Sequence, residues 1–132
     1  MPADKEEQIA VLFALHCCGG RAPKQRVIHF VLQNDLLRPR EEDDEYVQSN
    51  EKKIDNDLAW ARQSLKYKGL LRMPTHGIWE ITEAGQEAIQ KIAKRAVGLS
   101  SKLEGKAMEE AGFKRLSRTF HEKLVALGRT LS

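Results

Sequence analysis

The run from Asp55 to Gly85, DNDLAWARQSLKYKGLLRMPTHGIWEITEAG, constrains this chain more than any other part of it. Ile54, Leu58, Ala61 and Leu65 recur at offsets of four, seven and eleven, which places them on one face of a helix. Gly69 suits the left-handed conformation that ends such a helix, with Leu70 placed to fold back onto it. Leu71 and Met73, then Ile78 and Trp79, suit two short strands joined through Pro74, Thr75, His76 and Gly77. Thr82 is placed to cap a new helix, with Glu83 in its positive first turn.

Helix, sharp stop, tight hairpin and helix is the order in which a winged helix-turn-helix presents a recognition helix and a wing. The expected fold is therefore mainly α with a small β-hairpin wing (α+β), followed by a C-terminal helical extension. The run Asn56, Leu58, Ala59, Trp60, Ala61, then Leu65, Gly69, Leu70, Leu71, then Gly77, Trp79, Ile81, Thr82 and Gly85 resembles the N-terminal domain of Mrr-type restriction endonucleases. The resemblance covers roughly residues 50 to 90 and extends loosely back to residue 5. It implies a small winged-helix domain that binds DNA and that a separate nuclease domain follows in those enzymes.

With 132 residues the chain has room for one core. We expect a winged-helix domain over residues 1–98 and a helical extension over 99–132. No apolar run is long enough to span a bilayer, and Met1 to Gln8 lacks a signal-peptide pattern. The expected place is the cytoplasm, with nucleoid association if DNA is the partner. Cys17 and Cys18 are adjacent, a spacing that does not favour a disulfide between them. They are expected to be buried or half-buried thiols.

A net charge of +3 is small for a nucleic-acid binder, but it is unevenly placed. Residues 1–51 hold six basic and ten acidic groups; residues 52–95 hold nine and five; residues 96–132 hold seven and four. Positive charge thus begins at the proposed recognition helix, which favours a polyanion on one side of the molecule.

The pattern predicts a first helix from about Lys5 to Cys18, ended by Gly19 and Gly20. A second helix starts at Pro23, passes through Val27, Ile28, Val31, Leu32 and Leu36, and is stopped by Pro39. Residues 38–50, with acids from Glu41 to Glu45, read as an exposed loop in which Tyr46 and Val47 supply a short first strand. A fourth helix spans about Glu83 to Val97, and Gly98 and Ser100 mark a break. In the tail, Phe113, Leu116, Phe120, Leu124, Leu127 and Leu131 form a stripe too apolar for water. It must fold back on the domain or pair with a second copy, and a homodimer through the C-terminal helices is the expectation.

With the apolar residues of helix 54–67 inward, Lys52, Asn56, Gln63 and Tyr67 point outward, flanked by Lys53 and Lys66. Asn and Gln can pair both edge groups of adenine in the major groove, and Lys can reach guanine or phosphate. The competing reading is a solvated helix face. In the hairpin, Arg72, Thr75 and His76 are candidates for backbone phosphate or the minor groove. Trp60 lies at the edge of the outward face, and the family match suggests that it packs; Trp79 is expected in the core.

Catalysis has little support. Asp44, Glu51 and Lys53 imitate the acid and acid-x-Lys spacing of a nuclease metal site, but in a polar stretch that does not favour strands. The four histidines, His16, His29, His76 and His121, are dispersed, with His16 and His29 expected as core or boundary residues. No metal, cofactor or small-molecule site is expected, and neither a phosphate loop nor a Gly-x-Ser-x-Gly turn is present.

The leading expectation is a non-catalytic protein that binds double-stranded DNA, as a transcriptional regulator or the recognition component of a restriction or defence system. The alternative is a winged-helix module that binds protein partners instead, which Asp57, the acidic loop and the low net charge favour. A fragment of a longer nuclease would use the tail after Gly98 as a linker.

Overall fold

The computed structural model describes residues 5–37, 47–100 and 116–131, with backbone alone at 47–53 and 99–100. Within them lie helices α1 (Lys5–Cys17), α2 (Lys24–Gln33), α3 (Val47–Tyr67), α4 (Glu83–Ser100) and α5 (Arg118–Thr130) and a small sheet. Its strands are β1 (Arg21–Pro23), β2 (Leu71–Thr75) and β3 (Ile78–Ile81). The sheet is antiparallel in the order β1-β3-β2, so the β2–β3 hairpin forms the wing and β1 closes its other side. This is the expected mainly α architecture with a small β wing.

Side-chain alternation decides which sheet face is dry. Ala22, Leu71, Trp79 and Ile81 are buried, while Arg21 and Arg72 are exposed beside half-buried Glu80. Trp79 is a core residue, as expected. Along α3, Ile54, Leu58, Ala61 and Leu65 are all buried, α3 packs on α1, and these residues share one apolar cluster with Ile9 to Leu15.

Glycine and threonine set the corner between α3 and the wing. Gly69 has φ of +77°, and the Leu70 amide donates to the Leu65 carbonyl at 2.9 Å, closing the end of α3. The Thr82 hydroxyl donates to the Gly69 carbonyl at 2.7 Å and accepts from the Gly85 amide at 3.1 Å. One side chain therefore caps α4 and pins it to the end of α3. Gly85 is buried in the first turn of α4, and a Cβ there would collide with the Leu70 carbonyl oxygen.

Several expectations are corrected. The first strand is Arg21–Pro23, not Tyr46–Val47: Val47 begins α3, and Tyr46 lies outside the described residues. Helix α2 ends at Gln33, well before Pro39, because the chain turns through Asn34 and through Asp35, whose φ is +52°. Gly98 does not break α4, which continues to Ser100. His29 is exposed rather than a core or boundary residue. Cys17 is also exposed, while Cys18 is half-buried, and both are free thiols.

The tail stripe folds back. Phe120 and Leu124 are fully buried within their own chain, and α5 packs chiefly on α4. The two helices approach closely at Gly128, where a Cβ would meet the Ala93 carbonyl oxygen at 2.5 Å. Phe120 also meets Phe13 of α1, ring centroids 5.1 Å apart. Burial inside one chain accounts for Phe120 and Leu124 without a second copy. Phe113 lies outside the described residues.

Candidate nucleic-acid interface

The face of α3 opposite its buried stripe is left exposed by the fold. Asn56, Trp60, Gln63 and Tyr67 are all exposed. Steps of four, three and four return each to the same side of the helix. Lys66 is exposed beside them. Lys52 and Lys53 belong to the first turns of α3, and their side chains lie outside the described residues.

Trp60 corrects the expectation that it packs. It is 46% exposed, because turning the indole inward would rotate Leu58 and Leu65 out of the core. It and Tyr67, at 92%, are the exposed large hydrophobic residues among those described.

Arg62, on the flank of α3, joins the helix to the wing. Its guanidinium donates to the Met73 sulfur at 2.9 Å and sits 5.9 Å from the centre of the Trp79 ring. A cation over an indole face is a favourable contact. It positions the hairpin against α3, a role that residue type and spacing alone did not reveal.

The turn of the hairpin is held to the same edge. The Lys24 amide donates to the Gly77 carbonyl at 3.1 Å, and the Lys24 ammonium pairs with Asp55 of α3 at 2.9 Å. The start of α2, the N-terminal half of α3 and the hairpin turn are thus linked through one residue. Thr75 and His76 are exposed at that turn, next to Gly77 with φ of +80°. Of the acids on α3 whose side chains are described, Asp55 is engaged by Lys24 and Asp57 is half-buried, so neither belongs to the Asn56–Tyr67 line.

Arg72 sits differently from what was expected. Strand register sets Arg21, Glu80 and Arg72 in one row across the outer face of the sheet. The Arg72 Nε donates to one Glu80 carboxylate oxygen, and Arg21 donates to the other. Hydrogen bonds from Arg72 and then Arg21 hold the Glu80 carboxyl below its usual range, against a smaller opposing effect of desolvation. Both arginines remain largely exposed but are already partnered, so any phosphate must compete with Glu80.

Of the Asp44, Glu51 and Lys53 pattern, Asp44 lies outside the described residues. Glu51 and Lys53 fall within a helix, not on adjacent strands. Among the described residues no group of three His, Cys, Asp or Glu side chains converges as metal ligands would. Although Cys17 is exposed by surface area, desolvation by the surrounding atoms and then the adjacent Cys18 push its thiol up, against an opposing effect of Lys123, the opposite of what a nucleophile requires. His16 is half-buried, its Nδ1 hydrogen-bonded to Gln86 Oε1 at 2.8 Å. Among the described residues no helix is long and apolar enough to cross a membrane.

A family model for the Mrr N-terminal domain matches residues 8–91, from the first turn of α1 into α4. The match takes in all three strands, α3 and the Thr82 corner, and leaves α5 outside. Comparisons with curated proteins and with solved structures gave no match. The matched segment covers well over half of the sequence, and the chain belongs to the Mrr N-terminal domain family.

Proposed function

We propose that this chain is a non-catalytic winged-helix domain that binds double-stranded DNA, as the recognition component of a restriction or defence system or as a regulator. The family associates it with restriction systems and with DNA. The observation that carries the reading is the exposed line of α3, with a hairpin fixed beside it through Arg62 and Met73. In the mechanism, α3 enters the major groove, with Asn56 and Gln63 toward base edges and Lys66 toward phosphate. Thr75 and His76 meet the backbone from the hairpin turn, and Lys52 and Lys53 extend the contact along α3. Binding itself is the activity.

A second reading has a specific observation behind it. Trp60 and Tyr67 are large, exposed and on one side of a helix, as hot-spot residues of a protein interface often are. Fluorescence anisotropy of a labelled mixed-sequence duplex, titrated at several salt concentrations, separates the two. DNA binding by phosphate contact weakens steeply with salt, because each contact releases counterions. A folded protein that leaves the duplex unbound at low salt would favour the protein-partner reading.

A further inference from the structure

The line Asn56, Trp60, Gln63 and Tyr67 has a chemistry more specific than attraction to a polyanion. Among the residues of α3 whose side chains are described, it alternates carboxamides with aromatic rings and contains no cation; Lys66 stands to its side. In the major groove, adenine offers one acceptor and one donor, which the carboxamide of Asn or Gln matches at both atoms. Thymine offers a C5 methyl, which takes apolar contact. Guanine offers two acceptors, the pattern met by the paired donors of Arg or by Lys. Two carboxamides around an exposed indole therefore suit A·T pairs along the stretch from Asn56 to Tyr67.

The spacing agrees. Seven residues separate Asn56 from Gln63, about 10.5 Å along a helix at ~1.5 Å per residue. That is roughly three base-pair steps at ~3.4 Å each. Trp60 lies between the two amides. The indole is 46% exposed, on the side of α3 away from the core.

Resting on the DNA-binding reading above, we propose that this line confers a preference for A·T pairs. Asn56 and Gln63 pair with adenine edges, and the Trp60 ring packs on the C5 methyl of thymine. Tyr67, at the last turn of α3, donates its hydroxyl to a backbone phosphate. Trp60 is then a specificity residue, because the methyl it touches is what distinguishes thymine from uracil.

The test starts from a randomised duplex library selected on the full chain. The enriched site is then made with thymine or with uracil in its place, and each is titrated by anisotropy. The expected motif contains A·T pairs, and uracil weakens binding about fourfold for each methyl in contact, the value of one buried methyl-sized group. Trp60→Ala should weaken the thymine duplex and abolish the difference, with circular dichroism confirming that this surface variant is folded. An enriched motif of G·C pairs, no enrichment, or equal affinity for thymine and uracil would overturn the specificity while leaving DNA binding intact. A thymine preference that survives Trp60→Ala would overturn the role given to the indole. Failure to bind any duplex at low salt would overturn the DNA-binding reading itself, and the preference with it.

Discussion

Glu80 stands directly opposite Arg72 across the hairpin, and its carboxylate accepts a hydrogen bond from the Arg72 guanidinium. With Arg21 on the other side, one acid is shared by two cations on the outer sheet face. Charge that the sequence would assign to a phosphate contact is therefore already engaged. Glu80→Gln should release it, giving tighter duplex binding at low salt and a salt dependence steeper by about one unit in the log–log slope. An unchanged slope, by anisotropy, would mean that neither arginine approaches DNA.

The same pairing has a pH signature. Arg72, and next Arg21, holds the folded-state carboxyl of Glu80 below its usual range. A depressed acid contributes stability above its unfolded pKa and loses it as pH falls through the folded value. A carboxyl titration by NMR should therefore find Glu80 ionised at pH values where ordinary glutamates are half protonated. Arg72→Ala should raise the midpoint more than Arg21→Ala does.

Two glycines should respond in opposite directions to alanine. At Gly128 an added Cβ meets Ala93 backbone at 2.5 Å and the Val97 side chain at 2.6 Å, so α5 must move off α4. The expected cost is about 1–3 kcal/mol, the usual range for overpacking. At Gly98, exposed within α4, nothing lies within 4 Å of the added atom. Gly98→Ala should stabilise by roughly 0.5–1 kcal/mol through helix propensity. Denaturant midpoints of the two variants give the comparison.

Thr82 joins the end of α3 to the start of α4 through one hydroxyl. Thr82→Ala should cost about 1 kcal/mol, the typical value for a lost N-cap. Thr82→Ser keeps both hydrogen bonds and should recover most of it in urea unfolding. An alanine variant as stable as the parent would show that the corner is held by other contacts.

How much of this was legible in the sequence depends on how local the cause is. The buried stripe Ile54–Leu65, the end at Gly69, the Thr82 cap and buried Trp79 each follow from a periodicity or a single residue's chemistry, and all were readable. Arg21–Pro23 is too short to show an alternation, and it becomes a strand only because Glu80, Trp79 and Ile78 lie opposite. The end of α2 was misplaced because Asp35 takes a backbone conformation that its residue type permits but does not announce. At the candidate interface, Asn56, Gln63 and Lys66 were found from the helical wheel. The wheel sets Trp60 at the edge of the outward face, and only the family resemblance points to packing, which its 46% exposure does not follow. The Glu80 row and the Arg62 link depend on strand register and tertiary contact, which no spacing in the sequence encodes. The α5 stripe showed that something must cover it, but only the close approach of Gly128 to Ala93 shows that α4 does so.

The central claim is that the exposed line of α3 and the adjoining hairpin turn meet DNA. Its most direct test is an NMR titration of the isotopically labelled chain with a short duplex, following backbone amides and the side-chain NH groups of Asn56, Trp60 and Gln63. The account predicts shifts concentrated at those residues, Lys66, Thr75 and His76, with α5 silent. Shifts confined to α4 and α5, or none from a folded protein at low salt, would contradict it.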